Sequence, residues 1–211
     1  MCVVFFIEGN IATGKSTVLE LLKEHLPHCQ IIKEPLNTWL HIKDEDGNIL
    51  DHFYKTPQKV AYVFQSLAFF SRAKALKEID YTKDFVFIER SVESDKLFAE
   101  NCYKSNLLTT LEWKSYIIWF DWITEELLPL KHGTQKKHIY LRCNPETAYD
   151  RLQTRNREEE HNVSLSYLMD IHSKHELKFT KDRDDVVIFD STVSRLDLTR
   201  KIIDFVCKSV G

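Results

Sequence analysis

The sequence lacks paired cysteines, long apolar runs and an excess of basic residues, which are typical of disulfide-rich, membrane-bound and nucleic-acid-binding proteins respectively. Its five cysteines are odd in number and widely scattered, so neither a disulfide framework nor a zinc site is expected. Lys and Arg number 29 against 32 Asp and Glu, which leaves no basic excess for a nucleic-acid backbone. No apolar run approaches the roughly 20 residues that span a bilayer, and the apolar start lacks the basic lead of a signal peptide. We therefore expect a cytoplasmic protein whose partners include neither nucleic acid nor a membrane.

The sequence does contain an alternation of apolar runs and amphipathic segments. Its 211 residues, 43% of them hydrophobic, suit one globular domain over residues 1–211. Continuous apolar runs are typical of strands buried on both faces, and strands alternating with helices predict an α/β fold. We expect a five-stranded parallel sheet with helices on both faces. The predicted strands are 2–8, 30–33, 85–89, 137–143 and 186–190, and the predicted helices are 16–26, 57–79, 112–128, 145–157, 164–179 and 196–209.

The segment after the first predicted strand matches the phosphate-binding pattern G-x-x-x-x-G-K-[ST]. Its glycines allow a tight loop whose backbone N–H groups point at phosphate oxygens, and the following helix N-terminus adds partial positive charge. Lys15 is expected to neutralise the β- and γ-phosphates of a bound nucleotide, and the Ser16 hydroxyl to bind Mg²⁺. The pattern alone does not separate a kinase from other nucleotide-binding proteins. The loop residues are Gly9, Asn10, Ile11, Ala12, Thr13, Gly14, Lys15, Ser16 and Thr17.

Charged side chains follow the next two predicted strands. Glu34 comes after the second strand, and Glu89 and Arg90 lie at the end of the third. Because ligands of open parallel sheets bind beyond the carboxyl ends of the strands, we expect these side chains near the phosphate loop. One carboxylate can accept a proton from an attacking hydroxyl, the other can hold Mg²⁺, and Arg90 can neutralise a transferring phosphoryl group. The third strand lacks the D-x-x-G pattern that would indicate a GTP-driven switch.

Polar residues interrupt the apolar helix predicted over 57–79. Gln65, Ala68 and Arg72 are spaced three and four apart, so they share one face of that helix. Two interpretations fit this face. It is either the solvent-exposed side of an amphipathic helix or the wall of a pocket. In a pocket, Gln65 can pair with the edge of a nucleobase and Phe64 can stack on its ring.

Two other groups of residues also allow two interpretations. Arg151, Arg155 and Arg157 precede a run of glutamates, which fits a solvated helix with internal ion pairs. The same arginines also suit a lid that closes over phosphate oxygens and excludes water. Trp39 and Tyr54 fit either the wall of the pocket or an ordinary aromatic core.

Several short motifs follow one another in a fixed order: Ile7-Glu8-Gly9-Asn10-Ile11-Ala12, Gly14-Lys15-Ser16-Thr17, Glu34-Pro35, Phe64-Gln65, Ser71-Arg72, Glu89-Arg90-Ser91-Val92, Asp121-Trp122 and 155–160. In this order they closely resemble the deoxyribonucleoside kinases, the group that includes deoxycytidine, deoxyguanosine and mitochondrial thymidine kinases. The resemblance extends over nearly the whole chain. It implies a P-loop kinase fold with an arginine-rich lid, ATP-dependent phosphorylation of a deoxynucleoside 5′-hydroxyl in nucleotide salvage, and a homodimer. The short chain resembles a viral member.

The resemblance also implies a role for each candidate residue. Glu34 would accept the proton of the 5′-hydroxyl and Glu89 would lie beside Mg²⁺, and the alternative assignment exchanges the two. Arg90 would contact the 5′ oxygen and the phosphoryl group. Tyr54 and Glu160 would hold the sugar 3′-hydroxyl. Gln65 would pair with the base, with Phe64 stacked on it and Trp39 in the wall of the pocket. The lid would be formed by Arg151, Arg155 and Arg157, and the ATP adenine would be bordered by Val193, Ser194 and Arg195.

Three residues bear on which base is accepted: Ala68, Arg72 and Asp95. Members that resemble deoxycytidine and deoxyguanosine kinases carry the Arg and the Asp, whereas thymidine-preferring members do not. An ionised Asp95 only accepts hydrogen bonds, so it favours the exocyclic amine of cytosine or adenine over the 4-oxygen of thymine. We expect deoxycytidine to be favoured, purine deoxynucleosides to be accepted and thymidine to be a poor substrate. The alternatives are a nucleoside monophosphate kinase, a broad-specificity or thymidine-preferring kinase, and a catalytically silent nucleotide-binding module.

Overall fold

A computed structural model describes residues 2–181 and 183–209 of the chain. The strands are β1 (Val3–Glu8), β2 (Gln30–Ile32), β3 (Lys43–Asp44), β4 (Gly47–Asn48), β5 (Phe85–Glu89), β6 (Gln135–Arg142) and β7 (Val186–Asp190). The helices are α1 (Lys15–His25), α2 (Leu36–His41), α3 (Ile49–Lys55), α4 (Pro57–Leu76), α5 (Val92–Lys104), α6 (Thr110–Trp122), α7 (Pro145–Arg155), α8 (Leu165–Phe179) and α9 (Arg195–Lys208). Within the described ranges, none of the helices has both the length and the apolar character needed to cross a membrane.

Five of the strands form one parallel sheet in the order β2-β5-β1-β6-β7, which confirms the predicted α/β fold with a five-stranded parallel sheet. Val3 at the start of β1 pairs with Phe85 of β5 on one side and with Gln135 of β6 on the other. After β1 the chain forms the edge strand β2 and then β5 on one side, and afterwards β6 and β7 on the other side. The strand order therefore reverses at β1, and ligands of such sheets bind at that reversal.

Helices cover both faces of this sheet because β1 is apolar on both sides. Phe5 and Ile7 pack on one face in a core with residues of α1 and α9. Val4 and Phe6 pack on the opposite face, where Leu76 at the end of α4 joins them. Every residue of β1 is buried, which explains why its sequence is a continuous apolar run instead of an alternating one.

The sequence prediction omitted α2, α3 and α5, and each omission has a local reason. α2 is too short to show a helical period. α3 begins at a capping box, in which the Asn48 side chain accepts from the backbone of Asp51 while Asp51 accepts from that of Asn48. α5 buries polar residues, among them Ser94, Asp95 and Asn101. Its inner face therefore lacks the apolar spacing from which helices are predicted.

The helix predicted over 57–79 ends at Leu76 as α4, and two further predicted helices also end earlier than expected. α7 stops at Arg155, not at residue 157, because Asn156 adopts the left-handed conformation with φ 51°. The helix predicted over 112–128 is α-helical only to Trp122 and continues as a π-helical turn over Ile123–Leu127. The segment after α7 is consequently a loop with a single 3₁₀ turn at Glu158–Glu160, and it reaches the cleft described next.

Candidate active site

A cleft of about 800 Å³ lies at the carboxyl ends of the parallel strands. A cavity of this size suits a small-molecule ligand of nucleotide dimensions. Of the residues predicted from the sequence, Gly9 and Asn10 do not line it. The predicted residues that do line it are Ile11, Ala12, Thr13, Gly14, Lys15, Ser16, Thr17, Glu34, Trp39, Tyr54, Phe64, Gln65, Ala68, Arg72, Glu89, Arg90, Asp95, Arg151, Arg155, Arg157, Glu160, Val193, Ser194 and Arg195.

The phosphate loop is held in shape by Gly9 and Asn10, although neither lines the cleft. Gly9 has φ 144°, and a Cβ atom there would lie 2.7 Å from both the Leu141 carbonyl oxygen and the Thr13 hydroxyl. The Asn10 side chain donates to the Leu168 carbonyl at 2.8 Å and accepts from the Ile11 backbone N–H at 2.8 Å. Asn10 thereby ties the loop to α8, and both polar atoms of its side chain are engaged with the protein.

Lys15 lies at the bottom of the loop and is buried. Its ammonium group donates to the Asn10 carbonyl at 2.7 Å and to the Gly9 carbonyl at 3.3 Å. Burial, together with the positive charge of Arg90, lowers the pKa of Lys15 to about 7. A bound polyphosphate would favour the charged form of the ammonium group, so Lys15 is suited to an anionic ligand.

Ser16 and Glu89 present oxygen atoms side by side in the cleft. The Ser16 hydroxyl donates to Glu89 Oε1 at 2.7 Å, and Glu89 is buried at the end of β5. A hydroxyl and a carboxylate next to a phosphate loop are the donors that Mg²⁺ prefers. These two residues therefore fit a magnesium ion, and their role as its ligands stays a prediction.

The guanidinium group of Arg72 joins three parts of the cleft. Its Nε donates to Asp95 Oδ2 at 2.7 Å, its Nη2 to Glu34 Oε1 at 2.8 Å, and its Nη1 to the Glu89 carbonyl at 2.6 Å. Arg72 is only 2% exposed. Burial alone would lower its pKa, but the charges of Asp95 and Glu34 reverse that effect and raise it. Arg72 thus lies in the pocket wall, not on a solvated helix face.

Glu34 and Arg90 form the centre of the cleft. Arg90 lies at the β5–α5 turn with φ 66°, a conformation that non-glycine residues rarely adopt. From there its Nη1 donates to the Gly9 carbonyl at 2.5 Å and its Nε lies 3.4 Å from Glu34 Oε1. Burial opposes ionisation of Glu34, but the charges of Arg72, Arg90 and Lys15 outweigh burial and lower its pKa. Glu34 is therefore an ionised carboxylate at neutral pH.

The far end of the cleft is aromatic and contains two polar side chains. Phe64 stacks on Phe53 with ring centroids 4.6 Å apart. Gln65 is 2% exposed and its amide donates to Cys102 Sγ at 3.6 Å. Burial raises the pKa of Asp95 to about 6, while the neighbouring Arg72 acts in the opposite direction. Asp95 is therefore mostly ionised at pH 7.

The arginines predicted to form a lid are engaged with the protein itself. Arg151 donates to the Ser191 carbonyl at 2.8 Å. Arg155 forms a hydrogen-bonded ion pair with Glu160, and Arg157 lies 3.6 Å from the same carboxylate. Glu160, expected to hold a sugar hydroxyl, is thus already surrounded by cations. Movement of this segment over a ligand stays a prediction.

Three aromatic residues that line the cleft were not among the residues predicted from the sequence: Phe53, Phe98 and Tyr167. Phe98 lies three residues after Asp95 on α5, and the Arg90 guanidinium lies 4.9 Å from its ring centroid. Helical spacing from Asp95 was the signal that could have identified it. Tyr167 approaches Tyr54 with ring centroids 6.4 Å apart, but it comes from α8, where no motif drew attention to it.

Comparison with known proteins agrees with this geometry. The family described as "Deoxynucleoside kinase" matches residues 5–209. Deoxycytidine kinase of Rattus norvegicus is 35% identical over 193 residues, which cover 81% of this chain and 72% of that protein. The probable deoxycytidine kinase of fowlpox virus (strain NVSL) is 37% identical over 172 residues, covering 81% and 68%. The mitochondrial deoxyguanosine kinase of Xenopus laevis is 33% identical over 201 residues, covering 85% and 74%.

The raised pKa of Asp95 predicts a specific pH dependence of stability. Because the pKa of Asp95 in the folded protein, about 6, lies above its ordinary value of 3.8, ionising Asp95 costs stability as the pH rises from about 4 to 6. The Asp95→Asn variant cannot ionise there. The free energy of unfolding of Asp95→Asn minus that of the wild type should therefore increase by about 2–3 kcal/mol from pH 4 to pH 7. Urea unfolding at several pH values measures this.

The matched control for that measurement is Asp170→Asn, which changes an exposed carboxylate on α8. The difference between this control and the wild type should stay nearly constant over the same pH range. A difference between Asp95→Asn and the wild type that is also independent of pH would contradict the assigned environment of Asp95.

Proposed function

Because this chain belongs to the deoxynucleoside kinase family, we propose that it transfers the terminal phosphate of ATP to the 5′-hydroxyl of deoxycytidine in preference to thymidine. The observation that carries the proposal is the buried Arg72, which pairs with Asp95 at the base end of the cleft and with Glu34 at its centre. The comparisons support a kinase over a silent binding module, and a nucleoside over a nucleoside monophosphate as acceptor.

On the donor side, the backbone of the phosphate loop and the N-terminus of α1 would hold the triphosphate. Lys15 would give up its contacts with the loop carbonyls for the β- and γ-phosphates. Ser16 and Glu89 would hold Mg²⁺, which supplies positive charge against the phosphate oxygens when bound. Residues 193–195 would border the adenine.

On the acceptor side, Glu34 would accept the proton of the 5′-hydroxyl as the phosphoryl group is transferred. This assignment follows from the contacts of the two carboxylates. Glu34 is paired with Arg72 and Arg90, whereas Glu89 is bonded to the Ser16 hydroxyl on the phosphate-loop side. Arg90, which contacts the loop carbonyl and Glu34 together, would neutralise charge on the phosphoryl group during transfer.

The base end of the cleft suits a ring that carries an exocyclic amine. Gln65 offers an amide that can both donate and accept, and Asp95 offers a carboxylate that only accepts. The amine of cytosine would donate to Asp95, while the 4-oxygen of thymine would be repelled. Arg72 orients Asp95 through the bond at 2.7 Å. Phe64 and Ala68 would form the wall beside the ring.

The sugar would lie between the base end and the lid segment. Tyr54 and Glu160 would hold the 3′-hydroxyl, and binding of the sugar to Glu160 would loosen its ion pairs with Arg155 and Arg157. The freed guanidinium groups would then be available for phosphate oxygens, together with Arg151. The lid would in this way exclude water once both substrates are present.

We further propose that the chain forms a homodimer through the outer faces of α4 and α6. These helices pack on each other through Phe69 and Phe120, whose ring centroids are 5.0 Å apart. Their outer faces carry exposed apolar residues, including Phe70 at 42%, Ile118 at 69% and Trp122 at 49% exposure. Clustered exposed apolar groups of this size are typical of an interface between proteins.

Replacing the proposed base tests the chemistry. Glu34→Gln keeps the size of the side chain but removes its ability to accept a proton, so kcat should fall by about 10²- to 10⁴-fold. The Michaelis constants should change much less, since Gln can still accept from Arg72 and Arg90. Steady-state kinetics with deoxycytidine and ATP measure this, with the exposed Glu20→Gln as control. A variant with near-normal kcat would exclude Glu34 as the base.

The specificity is tested with a panel of the four deoxynucleosides and deoxycytidine monophosphate. Deoxycytidine should give the highest kcat/KM, because a mispaired buried polar group costs about 1–3 kcal/mol, which is tenfold or more. The double variant Arg72→Met with Asp95→Ala should shift the ratio of kcat/KM toward thymidine. Its absolute activity should also fall, since Glu34 loses a partner. Thymidine as the best wild-type substrate, or an unchanged ratio in the variant, would refute the assignment.

The dimer is tested by placing a charge on its proposed surface. Sedimentation should show a dimer for the wild type and a monomer for Ile118→Glu, because the charge would be buried between two copies. Leu177→Glu is the control. Leu177 is an exposed apolar residue like Ile118, with an exposure of 61%, but it lies on α8 and not on α4 or α6. A monomeric wild type, or a dimer that persists in Ile118→Glu, would argue against this interface.

A further inference from the structure

Glu8, the last residue of β1, is a fully buried carboxylate that does not line the cleft. Three groups donate to it. The Ser94 hydroxyl lies 2.5 Å from its Oε2, and the Ser91 backbone N–H lies 3.1 Å from its Oε1. The imidazole Nδ1 of His138 lies 3.0 Å from Oε1.

These donors are sufficient to keep Glu8 ionised in the core. Burial alone would raise its pKa, but the hydrogen bond and the charge of His138, together with the bonds from Ser91 and Ser94, lower it to about 2. Because an ionised carboxylate can only accept, Nδ1 of His138 must be the donor. A buried charge with three good donors is costly to disrupt, which makes the arrangement rigid.

Two of the three donors, Ser91 and Ser94, belong to the segment that carries the acceptor side of the site. Ser91 follows Arg90 directly and is the N-terminal cap of α5, while Ser94 precedes Asp95. On the other side, Glu8 is followed at once by Gly9, the first residue of the phosphate loop. One carboxylate therefore joins the strand that leads into the phosphate loop to the turn that carries Arg90 and the helix that carries Asp95.

His138 connects Glu8 to a third element. It lies on β6 opposite Phe6, is fully buried, and stacks on the Phe6 ring with centroids 5.2 Å apart. Its Nε2 lies 3.7 Å from both Glu93 Oε1 and Asp185 Oδ2. The contact of Nδ1 with Glu8 is the hydrogen bond of this ring, since the two Nε2 distances are too long for one and Nε2 has no hydrogen-bond partner among the described residues. Packing against Phe6 and the Glu8 bond together set the orientation of the imidazole.

We propose that Glu8 is a positioning residue for phosphoryl transfer, which sets the phosphate loop at the correct distance from Arg90 and Asp95. The inference rests on the proposed function, because it concerns the same transfer. Glu8 touches neither substrate, so it acts only through the elements that it joins. Small displacements between donor and acceptor groups are sufficient for a large effect, since about 1 Å costs on the order of 10²-fold in rate.

Two variants test this role. Glu8→Ala removes all three bonds, and Ser94→Ala removes one while leaving the carboxylate with its other two donors. We expect kcat to fall by about ten- to a hundredfold in Glu8→Ala and by a smaller factor in Ser94→Ala. The Michaelis constants should stay within about threefold of the wild type, because no ligand contact is lost. Glu8→Gln, which retains one acceptor oxygen, should recover part of the loss. Ser115→Ala, which removes the hydroxyl that bonds Tyr62, is the control and should leave kcat unchanged.

Amide hydrogen exchange of the segment 89–95 gives a second readout that needs no activity. Exchange there should accelerate in Glu8→Ala and Ser94→Ala while β1 and β6 remain protected. If Glu8→Ala does not fold, Ser94→Ala carries the test. Variants with normal kcat and unchanged exchange, or with a lower melting temperature as their only defect, would overturn the role of Glu8. A folded wild type that phosphorylates no deoxynucleoside would instead overturn the proposed function, and the exchange data would still report on Glu8.

Discussion

The site is organised around one buried guanidinium group. Arg72 is nearly inaccessible to solvent, and its charge is tolerated because the carboxylates of Asp95 and Glu34 and the Glu89 carbonyl accept its hydrogen bonds. A buried cation without these partners would be strongly destabilising. Four segments must therefore meet at fixed positions: α4, the end of β2, the end of β5 and the start of α5. The planar fork of Arg can bond all three acceptors at once, which a single ammonium group cannot do with the same geometry.

The charges of the cleft suit an anionic donor beside a neutral acceptor. The protein has a net charge of -3, yet Lys15 and Arg90 place positive charge beside the phosphate loop. The carboxylates of Glu34 and Glu89 balance them at the centre. Burial and the charge of Arg90 lower the pKa of Lys15, and the negative charge of a bound triphosphate would raise it again. The local arrangement, and not the overall charge, thus determines which ligand is favoured.

Much of this arrangement was predictable from sequence because it depends on short local patterns. The continuous apolar runs gave the five strands of the sheet, and the G-x-x-x-x-G-K-[ST] pattern gave the loop that joins β1 to α1. The polar face of α4 was ambiguous, since burial of Gln65 and Arg72 depends on partners distant in sequence. α5 was missed because its inner face is polar. The support of Glu8 by His138 could not be foreseen, as 130 positions separate the two residues.

We propose that Arg72 couples recognition of the base to Glu34, the carboxylate proposed to accept the proton of the acceptor hydroxyl. The most direct test is Arg72→Lys, which keeps the positive charge but cannot form three directed hydrogen bonds. The kinetics of deoxycytidine and thymidine phosphorylation should show that kcat and the preference for deoxycytidine fall together, each by about tenfold or more. A variant that loses its preference for deoxycytidine while kcat remains normal would contradict this coupling. So would a variant whose kcat falls while the preference is retained, since either result would show that the two functions are separate.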